Sequence, residues 1–138
     1  MAIRVVIRRV IGIVAGLAPV VLALAAFFIE KRPIYGIHNM IGRIIFGLGA
    51  FISLSNLYFS FLRYPLVILL GGEKENYRST SGIPIFGNLA VLVGLWLCSP
   101  SVWLNAGAIV AIAIDTGGLP WFIACVWKDK SFWDGTAF

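Results

Sequence analysis

The chain has 138 residues, of which 60% are hydrophobic and only 12% are charged, and its mean hydropathy is +0.95. Soluble domains are about 45–50% apolar and about 25% charged, so this chain has too few polar side chains to cover a water-facing surface. The composition excludes an ordinary soluble enzyme, a disordered regulator and a nucleic-acid-binding module. Because the length leaves no room for a second, soluble domain, we expect one polytopic membrane domain over residues 1–138.

Two uncharged apolar runs occupy the first half of the chain. Residues 10–29 form the first run, which follows three arginines and as a helix would be about 30 Å long, the thickness of the hydrocarbon core. A signal peptide also starts this way, but this run is long for one and the charged residues after it do not suit cleavage. Residues 44–62 form the second run. It contains Asn56, a polar side chain at depth that requires an interhelical partner.

Two further apolar runs follow a polar loop at residues 73–80. The short apolar piece before this loop either extends the second helix past Pro65 or lies at the membrane interface. The third run covers residues 83–98, and the fourth covers residues 102–127. The fourth run is long for one span, and residues 115–118 interrupt it. We therefore expect an all-α membrane protein, a four-transmembrane-helix bundle with a broken fourth helix.

The positions of the basic residues favour four spans. With four spans, eight Lys and Arg residues lie on one side of the membrane and three on the other. Because cytoplasmic flanks carry the excess of Lys and Arg, both termini are expected in the cytoplasm. In a three-span arrangement the fourth run only dips into the membrane, and the count becomes six against five. The net charge of +5 is therefore interpreted as a topology signal and not as nucleic-acid binding.

Asp115 is the one acidic residue in a predicted span, and an ionisable group inside a membrane is by default a functional-site hypothesis. The residues after it are poor helix formers, and some transporters hold cations where a helix is broken beside an acidic residue. The alternatives are that Asp115 caps the helix beginning near Leu119, or that this segment is an ordinary interfacial turn. The predicted functional or interaction residues are Asp115, Thr116, Gly117, Gly118, Pro120, Trp121 and Asn56. The candidate partners of a buried Asp115 are Arg43, His38, Asn56 and Asn88.

Other side chains give no sign of catalysis or of metal binding. His38 is the single histidine, placed in the first loop with no further metal-ligating side chain near it, and no Gly-x-Ser-x-Gly motif is present. The pair Glu73 and Glu75 lies in a loop of mixed charge and is best interpreted as solvated. We expect no enzyme activity, no metal and no cofactor. Cys98 and Cys125 lie in apolar stretches and are expected to be buried, unpaired thiols.

Pairs of small residues four positions apart predict close helix packing. Gly12 and Gly16 form one such pair, and Gly107 and Ala111 form another. Small side chains allow the backbones of two helices to approach closely. The pattern is common in membrane helices, so it leaves open whether the packing occurs within the bundle or in a homo-oligomer.

The second half of the chain carries a recognisable series of motifs. A Ser-Gly-Ile-Pro phrase at residues 81–84 opens a helix, a short Trp-containing turn follows, and residues 115–121 read Asp-x-Gly-Gly-Leu-Pro-Trp. Over residues 81–127, about a third of the chain, this resembles small, largely uncharacterised bacterial inner-membrane proteins. Some of these are encoded beside secreted antibacterial toxins and act as immunity proteins.

The resemblance implies a non-catalytic binding protein of the bacterial inner membrane. Such a protein would meet a membrane-active toxin in the lipid bilayer and block its insertion or assembly, through helix faces and loops instead of a cleft. The alternative is a small transporter or channel subunit that uses Asp115 at the helix break. One chain of 138 residues is small for a transport path, so this subunit would have to form an oligomer.

Overall fold

The computed structural model describes residues 2–29, 33–71, 85–99, 101–129 and 132–133. Within these residues every regular element is helical. The predicted polar loop at residues 73–80 and the start of the third apolar run at 83–84 lie outside the described residues. The elements are α1 (Ala2–Phe28), α2 (Ile37–Leu57), a π-helical turn (Tyr58–Leu62), α3 (Arg63–Leu69), α4 (Phe86–Leu97), α5 (Val102–Ile114) and α6 (Leu119–Val126).

Three segments are long and apolar enough to cross a membrane, which confirms the prediction of an all-helical membrane protein at that level. They are Val5–Phe28, Ile37–Leu69 and Val102–Val126. The third apolar run of the sequence corresponds to α4, which has 12 residues. At 1.5 Å per residue α4 is about 18 Å long, shorter than the hydrocarbon core.

The helices extend beyond the apolar runs that predict them. The first helix begins at Ala2 and not at residue 10, and α2 begins at Ile37 and not at residue 44. His38 therefore lies in the first turn of α2 and not in a loop, although its side chain is exposed. The reason is that a charged or polar side chain ends the apolar run without ending the helix, because it can extend away from the lipid while its backbone stays hydrogen-bonded.

The second helical segment continues past Pro65 through a π-helical turn. Proline has no N–H group, so it cannot donate to the carbonyl four residues before it. Just ahead of it, the N–H of Arg63 bonds the carbonyl of Tyr58, five residues back, and the helix widens by one residue per turn. The apolar piece at residues 66–70 thus extends the helix, with α3 ending at Leu69.

The most extensive helix contact joins α2 to α4, and glycines make it possible. A Cβ atom added at Gly49 would lie 2.5 Å from the backbone nitrogen of Val91, and one at Gly94 would overlap the backbone of Phe46. The two backbones are therefore in direct contact, as small residues permit in membrane helices. Val91, Leu95, Ala108 and Ile112 lie in the buried core beside this contact.

The helix pair α5 and α6 packs on α1. A Cβ at Gly12 would lie 2.6 Å from the Trp133 ring, and one at Gly16 would lie 2.9 Å from Cγ1 of Ile123. Farther along α1, the side-chain amide of Asn105 donates to the carbonyl of Ala26 over 3.1 Å. The Gly12–Gly16 pair is therefore used for packing within the bundle.

Candidate functional site

Asp115 lies in the turn between α5 and α6 with its side chain fully buried. The helix α5 ends at Ile114, α6 begins at Leu119, and the N–H of Gly118 donates to the Asp115 carbonyl over 2.8 Å to close the turn. The exposed fraction of Asp115 is 0%, so its carboxylate faces the interior of the bundle. The N-cap of α6 is Gly118, without a side-chain capping bond, so Asp115 does not cap α6.

One oxygen of the Asp115 carboxylate has two hydrogen-bond donors. Oδ1 accepts from Nδ2 of Asn56 over 2.6 Å and from the N–H of Gly117 over 3.2 Å. Asp115 is thus the interhelical partner that Asn56 requires. The other candidates His38 and Arg43 are exposed and lie about 27 and 20 Å from Asn56 along α2, too far to reach the carboxylate.

The second carboxylate oxygen, Oδ2, makes no hydrogen bond to any residue that the structure describes. It faces Gly87, the second residue of α4, where an added Cβ would lie 2.5 Å from Oδ2 and 3.0 Å from Oγ of Ser53. Because glycine has no Cβ, Oδ2 of Asp115 and Oγ of Ser53 can lie beside the position that a side chain at residue 87 would occupy. Ser53 is 0% exposed and donates to the carbonyl of Gly49 over 3.0 Å, which leaves its oxygen lone pairs available.

Asn88, the residue after Gly87 in α4, is a further buried polar side chain at this place. Its exposed fraction is 2%, and within the described chain neither its amide nitrogen nor its amide oxygen has a hydrogen-bond partner. Its amide group packs directly on Gly118, where an added Cβ would overlap the Asn88 nitrogen. A buried amide without a partner costs about 1–3 kcal/mol in proteins, so the arrangement at Asn88 is unusual.

Polar and aromatic contacts border the turn on its outer side. The hydroxyls of Thr116 and Ser60 lie 2.7 Å apart, which joins the turn to the π-helical segment. The Trp121 indole N–H donates over 2.8 Å to the carbonyl of Ala113, in the last turn of α5, and the Trp121 ring packs on Phe61. Trp121 therefore bridges α5 and α6 across the turn. Pro120 lies in the first turn of α6, where a missing N–H costs nothing.

We call Ser53, Asn56, Asn88 and Asp115 the Asp115 cluster. The sequence pointed to three of its members, two of them as candidate partners of the third, but it did not point to Ser53 or to the space at Gly87. A signal was present: positions 49, 53, 56 and 60 of the sequence are small or polar at intervals of three and four residues, which places them on one face of a helix.

The comparisons with known proteins add no relative. No family model matches the chain, and no curated protein or solved structure matches it. The Asp115 cluster is therefore interpreted from its own geometry and chemistry.

Proposed function

We propose that this protein is a cation-binding membrane protein, in which the Asp115 cluster takes a proton or a small monovalent cation as part of an oligomeric transporter or channel. The observation that carries the proposal is the Oδ2 atom of Asp115. It is fully buried, has no hydrogen-bond partner among the described residues and lies beside the turn that separates α5 from α6.

The charge of the site favours a cation. Among the described residues, the groups that donate to the carboxylate are the Asn56 amide and the Gly117 N–H, and both are neutral. A carboxylate placed in a low-dielectric interior without a positive partner costs several kcal/mol. Either a bound proton or a bound cation removes this cost, because each contributes one positive charge at Oδ2.

The donor atoms favour a monovalent ion over a divalent one. The carboxylate oxygen Oδ2 and the hydroxyl of Ser53, which lie together at Gly87, are both hard oxygen donors. A divalent ion is usually held by several carboxylates or imidazoles. Within the described ranges no group of three or more His, Cys, Asp or Glu side chains is close enough to hold a metal ion.

The membrane arrangement that we propose has four crossings, with α4 within the third and the α5–α6 pair forming a broken fourth. Arg8 donates to the carbonyl of Trp133 over 3.3 Å, so the start of α1 and the end of α6 lie at the same end of the bundle. An even number of crossings agrees with this contact, and both termini then lie in the cytoplasm. Transporters use such discontinuous helices to hold ions near the membrane centre.

The test compares the full-length protein with its Asp115→Asn variant in liposomes loaded with pH-sensitive or sodium-sensitive dyes. The variant keeps the size of the side chain and loses its charge. We expect cation flux with the wild type and none with Asp115→Asn. Asn105→Ala is the matched control, because it removes a buried interhelical hydrogen bond outside the cluster and should leave the flux unchanged.

Stability measurements in detergent separate binding from transport. If sodium binds at the cluster, sodium chloride raises the Tm of the wild type over its value in choline chloride, and it does not raise the Tm of Asp115→Asn. If the wild type shows neither flux nor a cation-dependent Tm, and its stability does not change with pH, the proposal is wrong. The toxin-binding function implied by the resemblance would then be tested first, by growth of cells that express the protein together with the toxin of a neighbouring gene.

A further inference from the structure

A shallow apolar groove lies between α1 and α6, away from the Asp115 cluster. Its volume is about 230 Å³, and its lining includes Gly16, Leu17, Pro120, Ile123 and Trp127. Gly16 has no side chain, so none extends into the groove at this position. On α1 the groove is lined by Ile13, Gly16 and Leu17, about one to two helical turns from Arg9.

Basic side chains surround the end of the groove at Trp127. The Arg9 guanidinium lies 5.6 Å from the centre of the Trp127 ring and 6.0 Å from that of the Trp133 ring. Its Nε atom is buried and has no hydrogen-bond partner among the described residues. Arg8 lies beside it and bonds the Trp133 carbonyl, and the exposed Lys128 follows Trp127 directly.

We infer that this groove binds one anionic phospholipid, with an acyl chain on Leu17 and Ile123 and the phosphate at Arg8, Arg9 and Lys128. Arg8, Arg9 and Lys128 carry three positive charges, and the acidic residue that the structure describes next to Lys128 is Asp129, whose carboxylate accepts from the Phe132 N–H. Basic pockets between helices on the cytoplasmic side are typical sites for acidic headgroups. Trp127 joins the two parts of the site, because its ring both lines the groove and packs under Arg9.

The lining of the groove favours a hydrocarbon chain as its occupant. The side chains of Leu17, Pro120 and Ile123 are apolar, and a hydrocarbon chain requires no hydrogen bonds from them. The phosphate of the same molecule can accept from the terminal N–H groups of the Arg9 guanidinium.

The test uses lipids with brominated acyl chains, which quench tryptophan fluorescence on contact. The full-length protein is reconstituted in phosphatidylcholine vesicles that contain brominated phosphatidylglycerol or brominated phosphatidylcholine with the same chains. We expect the anionic lipid to quench at a lower mole fraction, by about fivefold for each basic residue that contacts it. The Arg8→Gln/Arg9→Gln double variant should lose most of this preference.

Two further variants separate the site from general surface charge and from misfolding. Arg43→Gln removes an exposed arginine of α2 and should keep the full preference. Arg9→Lys keeps the positive charge and should retain most of it, while confirming that the region folds. Equal quenching of the wild type by the two lipids would overturn the inference. So would an unchanged preference in the Arg8→Gln/Arg9→Gln variant, or an equal loss in Arg43→Gln.

Discussion

Nδ2 of Asn56 lies 2.6 Å from Oδ1 of Asp115 and joins α2 to the turn between α5 and α6. The two side chains are 59 positions apart in the sequence, and their exposed fractions are 1% and 0%. The bond holds Oδ1 of the carboxylate and thereby leaves Oδ2 as the oxygen that faces Gly87. Together with the Gly117 N–H, which also donates to Oδ1, this pair fixes the orientation of the candidate site.

Replacing Asn56 by alanine should lower the free energy of unfolding by about 1–2 kcal/mol, because a buried carboxylate oxygen loses a donor. Unfolding by sodium dodecyl sulfate in mixed micelles measures the change. Ser55→Ala is the control, since the Ser55 hydroxyl bonds the carbonyl of Phe51 within its own helix. Equal effects of the two substitutions would show that the bond between Asn56 and Asp115 contributes no stability.

Gly94 and Gly47 both lie within apolar helices, but replacing each by alanine should have opposite effects on stability. Gly94→Ala places a methyl group against the backbone of Phe46 and should destabilise the fold by about 1–3 kcal/mol or more. Gly47→Ala meets nothing within 4 Å and should raise stability by up to about 1 kcal/mol, since alanine favours the helix. The same unfolding titration measures both, and a stable Gly94→Ala variant would contradict the direct contact of α2 with α4.

The general character of the fold could be predicted from the sequence, while the site could be predicted only in part. The composition indicates that lipid is the solvent. An asparagine or an aspartate within an apolar run indicates a side chain that requires a hydrogen-bond partner in another helix. Which partner each of these side chains contacts depends on the positions of α2, α4 and the turn relative to one another along the bundle axis. No local sequence pattern encodes those positions. The space at Gly87 was missed for the same reason, because one glycine in an apolar helix is common.

The sequence places the starts of α1 and α2 too late, for a different physical reason, whereas α5 begins at Val102 as predicted. Hydropathy reports where side chains meet lipid, whereas a helix continues as long as its backbone bonds continue. The charged start of α1 and the piece after Pro65 therefore belong to helices that the apolar runs did not include. The distribution of Lys and Arg, in contrast, indicates the orientation of the chain in the membrane and not where a helix begins.

The indole of Trp121 should contribute to stability through its N–H as well as its ring. Trp121→Phe keeps an aromatic ring next to Phe61 and leaves the Ala113 carbonyl without its donor, at a cost of about 1 kcal/mol. Trp103 is 87% exposed, so Trp103→Phe should have almost no effect. Thermal unfolding followed by circular dichroism compares the two variants, and similar Tm values would mean that the bridge across the turn adds no stability.

The two cysteines should differ in reactivity towards N-ethylmaleimide. Neither forms a disulfide, and the expected burial is confirmed for Cys98 but is wrong for Cys125, which is exposed on α6. In detergent the folded protein should gain one label, at Cys125, and the unfolded protein should gain two. Mass spectrometry of the intact chain counts the labels, with Cys125→Ala as the control that should stay unlabelled until it unfolds. Rapid labelling of Cys98 in the folded protein would contradict its burial.

Three interruptions of regular helix lie close together in the bundle. On α1, Pro19 falls between the contacts of Gly16 and Ala26, and the turn at residues 115–118 falls between the same contacts on the opposite side. The π-helical turn reaches this level too, since Ser60 bonds Thr116. Regular backbone hydrogen bonds are therefore fewest in one layer, which is where bending of the bundle would cost least. Asp115 lies in that layer, so such bending would change the distances within the Asp115 cluster more than it would change either end of the molecule.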